Sequence, residues 1–249
     1  NLVASVFCSM SPLLISLCIK CDLNWRIALL LPVLMFLIFA SAGKRIVAPY
    51  TETSEGKKSS HEKLPSFYWL CWLLVLFAVA SEWSIIYWGA DFLEKVGKIG
   101  KADAAGFLSC FLLAMVAGRL LGSRLVRIHP TESLLKVACV IAVIGFSIFW
   151  LGHTVILNVA GLAIAGLGIA NFYPLTLSAA IGSAPEQAGT ATARMSVASG
   201  GATLLSPLLL GLLAEHTNIF AAYGLVAVLL AVCCAIVFLS DWSVIKRPS

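Results

Sequence analysis

The sequence predicts an all-α membrane fold of about eight transmembrane helices. Three observations carry that expectation. Hydrophobic residues make up 60% of the 249-residue chain and charged residues 12%, whereas a soluble domain is about half apolar and about a quarter charged. The apolar runs are roughly 16 to 28 residues long, near the ~20 residues a helix needs to cross a bilayer. They are unbroken rather than alternating, so they fit helices that satisfy their own backbone and not the strands of a barrel.

The spans are expected at about 2–19, 24–42, 66–90, 104–126, 133–152, 154–181, 190–213 and 218–240. The chain opens at Asn1, already inside the first apolar run, with no initiator Met and no cleavable leader, as expected for a piece of a longer protein. That run carries Ser5, Ser9 and Ser16 around Pro12 and ends at Cys18 and Cys21. This CxxC lacks partner ligands, and Cys233 and Cys234 stand side by side in an apolar run, so the cysteines read as small apolar filler and no metal or other cofactor is expected. After the second span, residues 43–65 are polar with Gly and Pro punctuation and read as a linker.

The net charge of +5 does not point to nucleic acid, because the basic residues lie between the spans, where they set topology. With the spans threaded in order, twelve Lys and Arg fall on one side and five on the other. The richer side holds the linker, the 124–136 connection and the C-terminus, so these are expected in the cytoplasm of a cell with this protein in its cytoplasmic membrane. An internal echo supports a repeat. "SPLL" occurs at Ser11–Leu14 and Ser206–Leu209, each time in a helix followed by one more helix. The offset is what two six-helix halves would give. On that reading residues 1–42 are the last two helices of an N-terminal bundle and 66–249 a complete six-helix C-terminal bundle.

Polar residues inside these spans are the functional candidates. Glu82 lies within the third span, and a carboxylate there faces protein or water and marks a substrate or proton role, or a structural bond to a neighbouring helix. Tyr87 and Trp88 follow, with Trp83 before them, either as rings that stack on a solute or as an interfacial aromatic belt. Asp91, nearer the end, reads as an interfacial anchor. In "GIANFYPLTLSAA" Pro174 removes a hydrogen bond and frees the Ala170 carbonyl, while Asn171 and Tyr173 bring polar groups to the same break. In the seventh span Thr192, Ser196, Ser199, Thr203 and Ser206 fall within an arc of roughly 80°, a stripe that lines a wet path or, with Gly200 and Gly201, packs closely on another helix. Gly118 and Gly122 allow tight helix contact, and Arg119, Arg124 and Arg127 can bond helix carbonyls, anionic lipid or carboxylates. His61, His129, His153 and His216 are scattered, with no nucleophile and base brought together, so no catalytic residue is assigned and an enzyme is not expected.

"EWSIIYWGADFLEKVG", "AMVAGRLLGSRL", "GLGIANFYPLTLSA" and "ATARMSVASGGATLLSPLLLGLL" resemble helices 7, 8, 10 and 11 of the major facilitator superfamily, and among its members the fucose-permease-like branch. The resemblance implies twelve helices in two bundles, a central cavity and alternating access, with the first four helices absent here. It matches the setting of Glu82 and Trp88, while the family's usual proton-coupling carboxylates, in helices 1 and 4, fall outside this chain. The reading of the spans gives Glu82, Tyr87, Trp88, Asn171, Tyr173, Ser196, Ser199 and Thr203 as substrate-binding candidates and Glu82 as the proton-coupling candidate. Gly118, Arg119, Gly122 and Arg124 match a cytoplasmic gate motif, in which Ser123 replaces a frequent Asp. The expected function is a monomeric secondary transporter of a small polar solute, a sugar among the candidates, coupled to protons. An exporter of drugs or metabolites, or a non-transporting receptor or scaffold of the same fold, is the alternative.

Overall fold

The computed structural model describes residues 17, 18, 21 and 64–242. Apart from residues 17 and 18, the expected span at 2–19 lies outside the described residues, as do the span at 24–42, almost all of the linker and the first "SPLL" copy. Between residues 66 and 239 the chain makes six membrane-length helical spans. They are α1 (Ser66–Lys95), α2 (Lys101–Leu125), α3 (Thr131–Leu151), a span split into α4 (Val155–Ile169) and α5 (Phe172–Ser183), α6 (Ala188–His216), and a last span built from α7 (Ile219–Ala222) and α8 (Gly224–Leu239). No strand occurs among the described residues.

Two short polar side chains set helix starts. Thr154 Oγ1 accepts from Leu157 N at 3.3 Å ahead of α4, and Asn218 Oδ1 accepts from Ala221 N at 2.9 Å ahead of α7. The split between α4 and α5 falls at Ala170 and Asn171. Pro174 cannot donate to the Ala170 carbonyl, and the next bond in the ladder runs from Leu175 N to Asn171 O at 3.2 Å.

Helices in lipid gain little from burying apolar surface against one another, so close backbone approach and hydrogen bonds must hold them. α4 is wedged between α2 and α3 by its glycines. Gly161 and Gly168 rest on the α3 backbone at Phe149 and Ala142, and a methyl group on Gly166 would stand 2.5 Å from the Phe111 carbonyl of α2. α1 is tied to α6 by aromatic donors. Tyr68 Oη reaches Ala191 O at 2.9 Å, Trp72 Nε1 reaches Arg194 O at 3.0 Å, and Trp88 Nε1 reaches Pro207 O at 2.9 Å. Near the Lys95 end of α1, Phe92 meets Phe149 and Tyr223 with ring centroids 4.7 and 4.8 Å apart, which joins α1, α3 and the last span.

Gly200 and Gly201 have open space where a side chain would stand. The close packing offered as one reading of the α6 stripe is therefore not made by these two glycines among the described residues. In detergent, Gly161→Leu is expected to lower stability by about 1–3 kcal/mol through overpacking against α3, while Gly201→Ala leaves the thermal midpoint unchanged. Thermal unfolding followed by circular dichroism separates the two.

Candidate functional site

The site begins with one carboxylate in α1. Glu82 lies thirteen residues before the end of α1, and Arg119 eighteen residues after the start of α2. At ~1.5 Å per residue these positions are roughly 20 and 27 Å below the connection between the two helices. The long arginine side chain spans the difference. Arg119 Nη2 stands 3.5 Å from Glu82 Oε1, with side chains 27% and 14% exposed. The pair is thus mostly withdrawn from solvent yet loosely closed. Two further ion pairs, Lys95 with Asp91 at 2.9 Å and Lys136 with Glu132 at 2.6 Å, join residues four apart on one helix.

The stretch of α2 that carries Arg119 also holds the helix break. Asn171 Nδ2 donates to Gly118 O at 2.9 Å, and its side chain lies directly on Gly122. Gly118 itself abuts the α4 backbone, where an added Cβ would meet Leu167 O at 2.8 Å. Gly118 and Gly122 therefore make the close helix contact expected of them. One turn and a half of α2 is joined to α1 by charge and to the α4–α5 break by an amide bond. Arg124 is exposed, and the Ser123 hydroxyl turns back onto Leu120 O of its own helix at 2.8 Å.

The aromatic residues separate into two roles. Trp88 is committed to the protein: its indole N–H is bonded to Pro207 O, and its ring covers Gly211. Tyr87 is 59% exposed and lies against Trp83, with ring centroids 5.7 Å apart. Tyr173 is half-buried against the core. On α6, Thr192 and Ser196 donate to carbonyls four residues back at 2.8 and 3.0 Å, and Thr203 does the same to Ser199 O at 2.9 Å. Ser196 is exposed, Ser199 and Thr203 are half-buried, and Ser206 is buried with its hydroxyl unpartnered. The stripe therefore spends donors on its own helix and presents oxygen lone pairs. No hydrogen bond joins it to Glu82 or Asn171 among the described residues.

The partner of Glu82 went unread in the sequence because Arg119 was taken with the connection at the end of α2. Comparing the depths of the two residues below their shared turn would have found it.

A bundle of lipid-length helices with an ion pair and a proline-broken span in its interior is a multi-pass membrane protein. Its relatives give the class a name. The chain is 35% identical over 166 residues to an uncharacterized transporter, y4wD, of Sinorhizobium fredii, covering 64% of this chain and 44% of that protein. It is 25% identical over 200 residues to an uncharacterized MFS-type transporter of Yersinia pestis, covering 80% and 51%. It is 27% identical over 169 residues to the membrane protein MosC of Rhizobium meliloti, covering 67% and 41%. The fold matches the crystal structure of the major facilitator transporter FucP in the outward conformation. The TM-score is 0.64 at 16% identity, over 71% of this chain and 43% of that one. No family model matches the chain. The fold of the described residues is that of a major facilitator transporter, and the chain spans about half the length of the relatives it matches.

Removing one member of a buried ion pair leaves the other charge without compensation. Arg119→Gln is expected to cost roughly 3 kcal/mol of stability, read as a fall in thermal midpoint in detergent. Arg124→Gln, at an exposed position, is expected to change it by less than about 0.5 kcal/mol. Equal effects of the two substitutions would remove the pair from the account.

Proposed function

We propose that the chain is part of a secondary transporter that moves a small polar solute, a sugar by first choice, by alternating access with proton coupling. The observation that carries this reading is the loose, partly exposed Glu82–Arg119 pair inside the span region. A carboxylate held this way has two alternatives to its arginine: a proton, or the hydroxyl groups of a solute. Either one weakens its hold on Arg119 and so on α2. The likeness in fold to a major facilitator transporter and the transporter names of two relatives support the same activity.

In this reading Glu82 takes the proton or the solute hydroxyls, and the exposed ring of Tyr87 stacks on the apolar face of the solute. Ser196, Ser199 and Thr203 offer lone pairs to solute donors, and Tyr173 adds a phenol from the broken span. Trp88 and Asn171 act by position: one fixes α1 on α6, the other fixes the break on α2. Gly118, Arg119, Gly122 and Arg124 form the gate at the Leu125 end. Residues 66–249 serve as the C-terminal bundle, 1–42 as the end of the N-terminal one and 43–65 as the linker between them. The C-terminus faces the cytoplasm, and the protein works as a monomer in the cell membrane.

The test is uptake by the protein in proteoliposomes under an imposed proton gradient, with labelled D-glucose, D-galactose and L-fucose as probes. Accumulation of one sugar above its outside concentration is expected, with about a tenfold or greater loss in Glu82→Gln, whose amide cannot exchange a proton. Accumulation by Glu82→Gln at the wild-type rate would remove Glu82 from the coupling step.

A further inference from the structure

Away from the Glu82–Arg119 pair, α3 and α8 leave a groove between them. Val143, Phe146 and Ser147 of α3 and Ala227, Ala231 and Cys234 of α8 line a cleft there of about 330 Å³. Ile144 and Val228 beside it are exposed, so the cleft opens toward lipid. Its lining is apolar apart from one hydroxyl and one thiol. The groove continues beyond the cleft to a charged end. At ~100° per residue, Lys136, Val143 and Ser147 share about 40° of α3, and Phe238, Cys234, Ala231 and Ala227 share about 60° of α8. Across the groove the Lys136 ammonium stands 5.9 Å from the centre of the Phe238 ring. Glu132, one turn nearer the start of α3, bonds Lys136 at 2.6 Å.

The order of groups along the groove is specific. From the start of α3 inward come a carboxylate, an ammonium ~6 Å deeper, and an apolar cleft that begins ~10 Å deeper still. A zwitterionic phospholipid carries the complementary groups in the same order: an ammonium, a phosphate, then acyl chains. The side chains of Lys136 and Glu132 are 37% and 41% exposed. An exposed pair of this kind is weak, so each member can turn to a head group at little cost. The Phe238 ring holds the Lys136 ammonium over the groove meanwhile.

We propose that this groove is a binding site for one phosphatidylethanolamine. Its phosphate lies on Lys136, its ammonium on Glu132, and one acyl chain enters the cleft between Val143 and Ala231. The head group sets the choice among lipids. An ethanolamine ammonium donates N–H bonds to the Glu132 carboxylate, and charge-assisted bonds of this kind are the strong ones. Phosphatidylglycerol brings the same phosphate to Lys136 but no cation to Glu132, and its negative charge then stands beside a carboxylate. The site is distinct from the transport site, since α3 and α8 carry none of the residues assigned to solute or proton.

The experiment places the protein in phosphatidylcholine vesicles holding a trace of phosphatidylethanolamine with a diazirine midway along one acyl chain. After irradiation the labelled positions are mapped by mass spectrometry. A phosphatidylglycerol probe with the same chain is run in parallel. Labels are expected to concentrate on 143–147 and 227–234, about fivefold heavier from the ethanolamine probe, the size of one charge contact at a membrane surface. Ala231→Trp fills the cleft and is expected to remove that concentration for both probes. Glu132→Gln leaves Lys136 unopposed and is expected to reverse the order of the two. Equal labelling of the wild-type cleft by both probes overturns the proposal. So does labelling no denser there than at the exposed Leu204 and Leu205 of α6, which would mark ordinary contact with bulk lipid. The wild-type arms decide the matter without the variants.

Discussion

A charge inside a membrane span must find its opposite within the protein. A lone Glu or Arg at mid-membrane costs a few kcal/mol or more, and lipid offers no hydrogen bond in return. Glu82 and Arg119 answer that constraint for each other, and much of the interior arrangement follows from it. Arg119 must reach across from α2, so α2 must lie close to α1 at that depth. The glycines on either side of Arg119 then let α4 and Asn171 approach the same stretch from the other side. Charge on one face and close packing on the other thus meet in a single segment of five residues.

The rest of the bundle is held by means suited to lipid. Glycines bring backbones together around α4, and aromatic N–H and O–H groups donate to carbonyls across the α1–α6 contact. Both devices supply attraction that apolar side chains cannot supply in an apolar solvent. They also leave different freedoms. Tyr87 stays open because Trp88, one residue on, is the ring committed to α6. A broken span sits beside the ion pair because Pro174 frees a carbonyl there and Asn171 can turn its amide to α2.

Much of this was legible in the sequence. The spans from residue 66 onward lie within a few residues of where hydropathy placed them, since length and apolarity alone fix a membrane helix. The break at Pro174 followed from the chemistry of proline, and Glu82 stood out as an acid that lipid would not tolerate. Neighbour relations were not legible. Helical periodicity says which residues share a face of one helix, but not which other helix lies against it. For that reason Arg119 was placed with a surface motif rather than with Glu82. The bond that commits Trp88 to α6 was hidden for the same reason. The α6 stripe shows the same limit from the other direction: its hydroxyls do share a face, yet several of them bond back to their own helix.

The most direct test of the account is a charge exchange across the pair, with the thermal midpoint of the membrane-extracted protein as the measurement. Glu82→Arg alone and Arg119→Glu alone place two like charges face to face and are expected to unfold the bundle or lower its midpoint sharply. The double exchange restores an opposite pair at the same depth, and the account predicts that it recovers most of the lost stability. A double variant no more stable than the worse single one would contradict the claim that this pair holds α1 to α2.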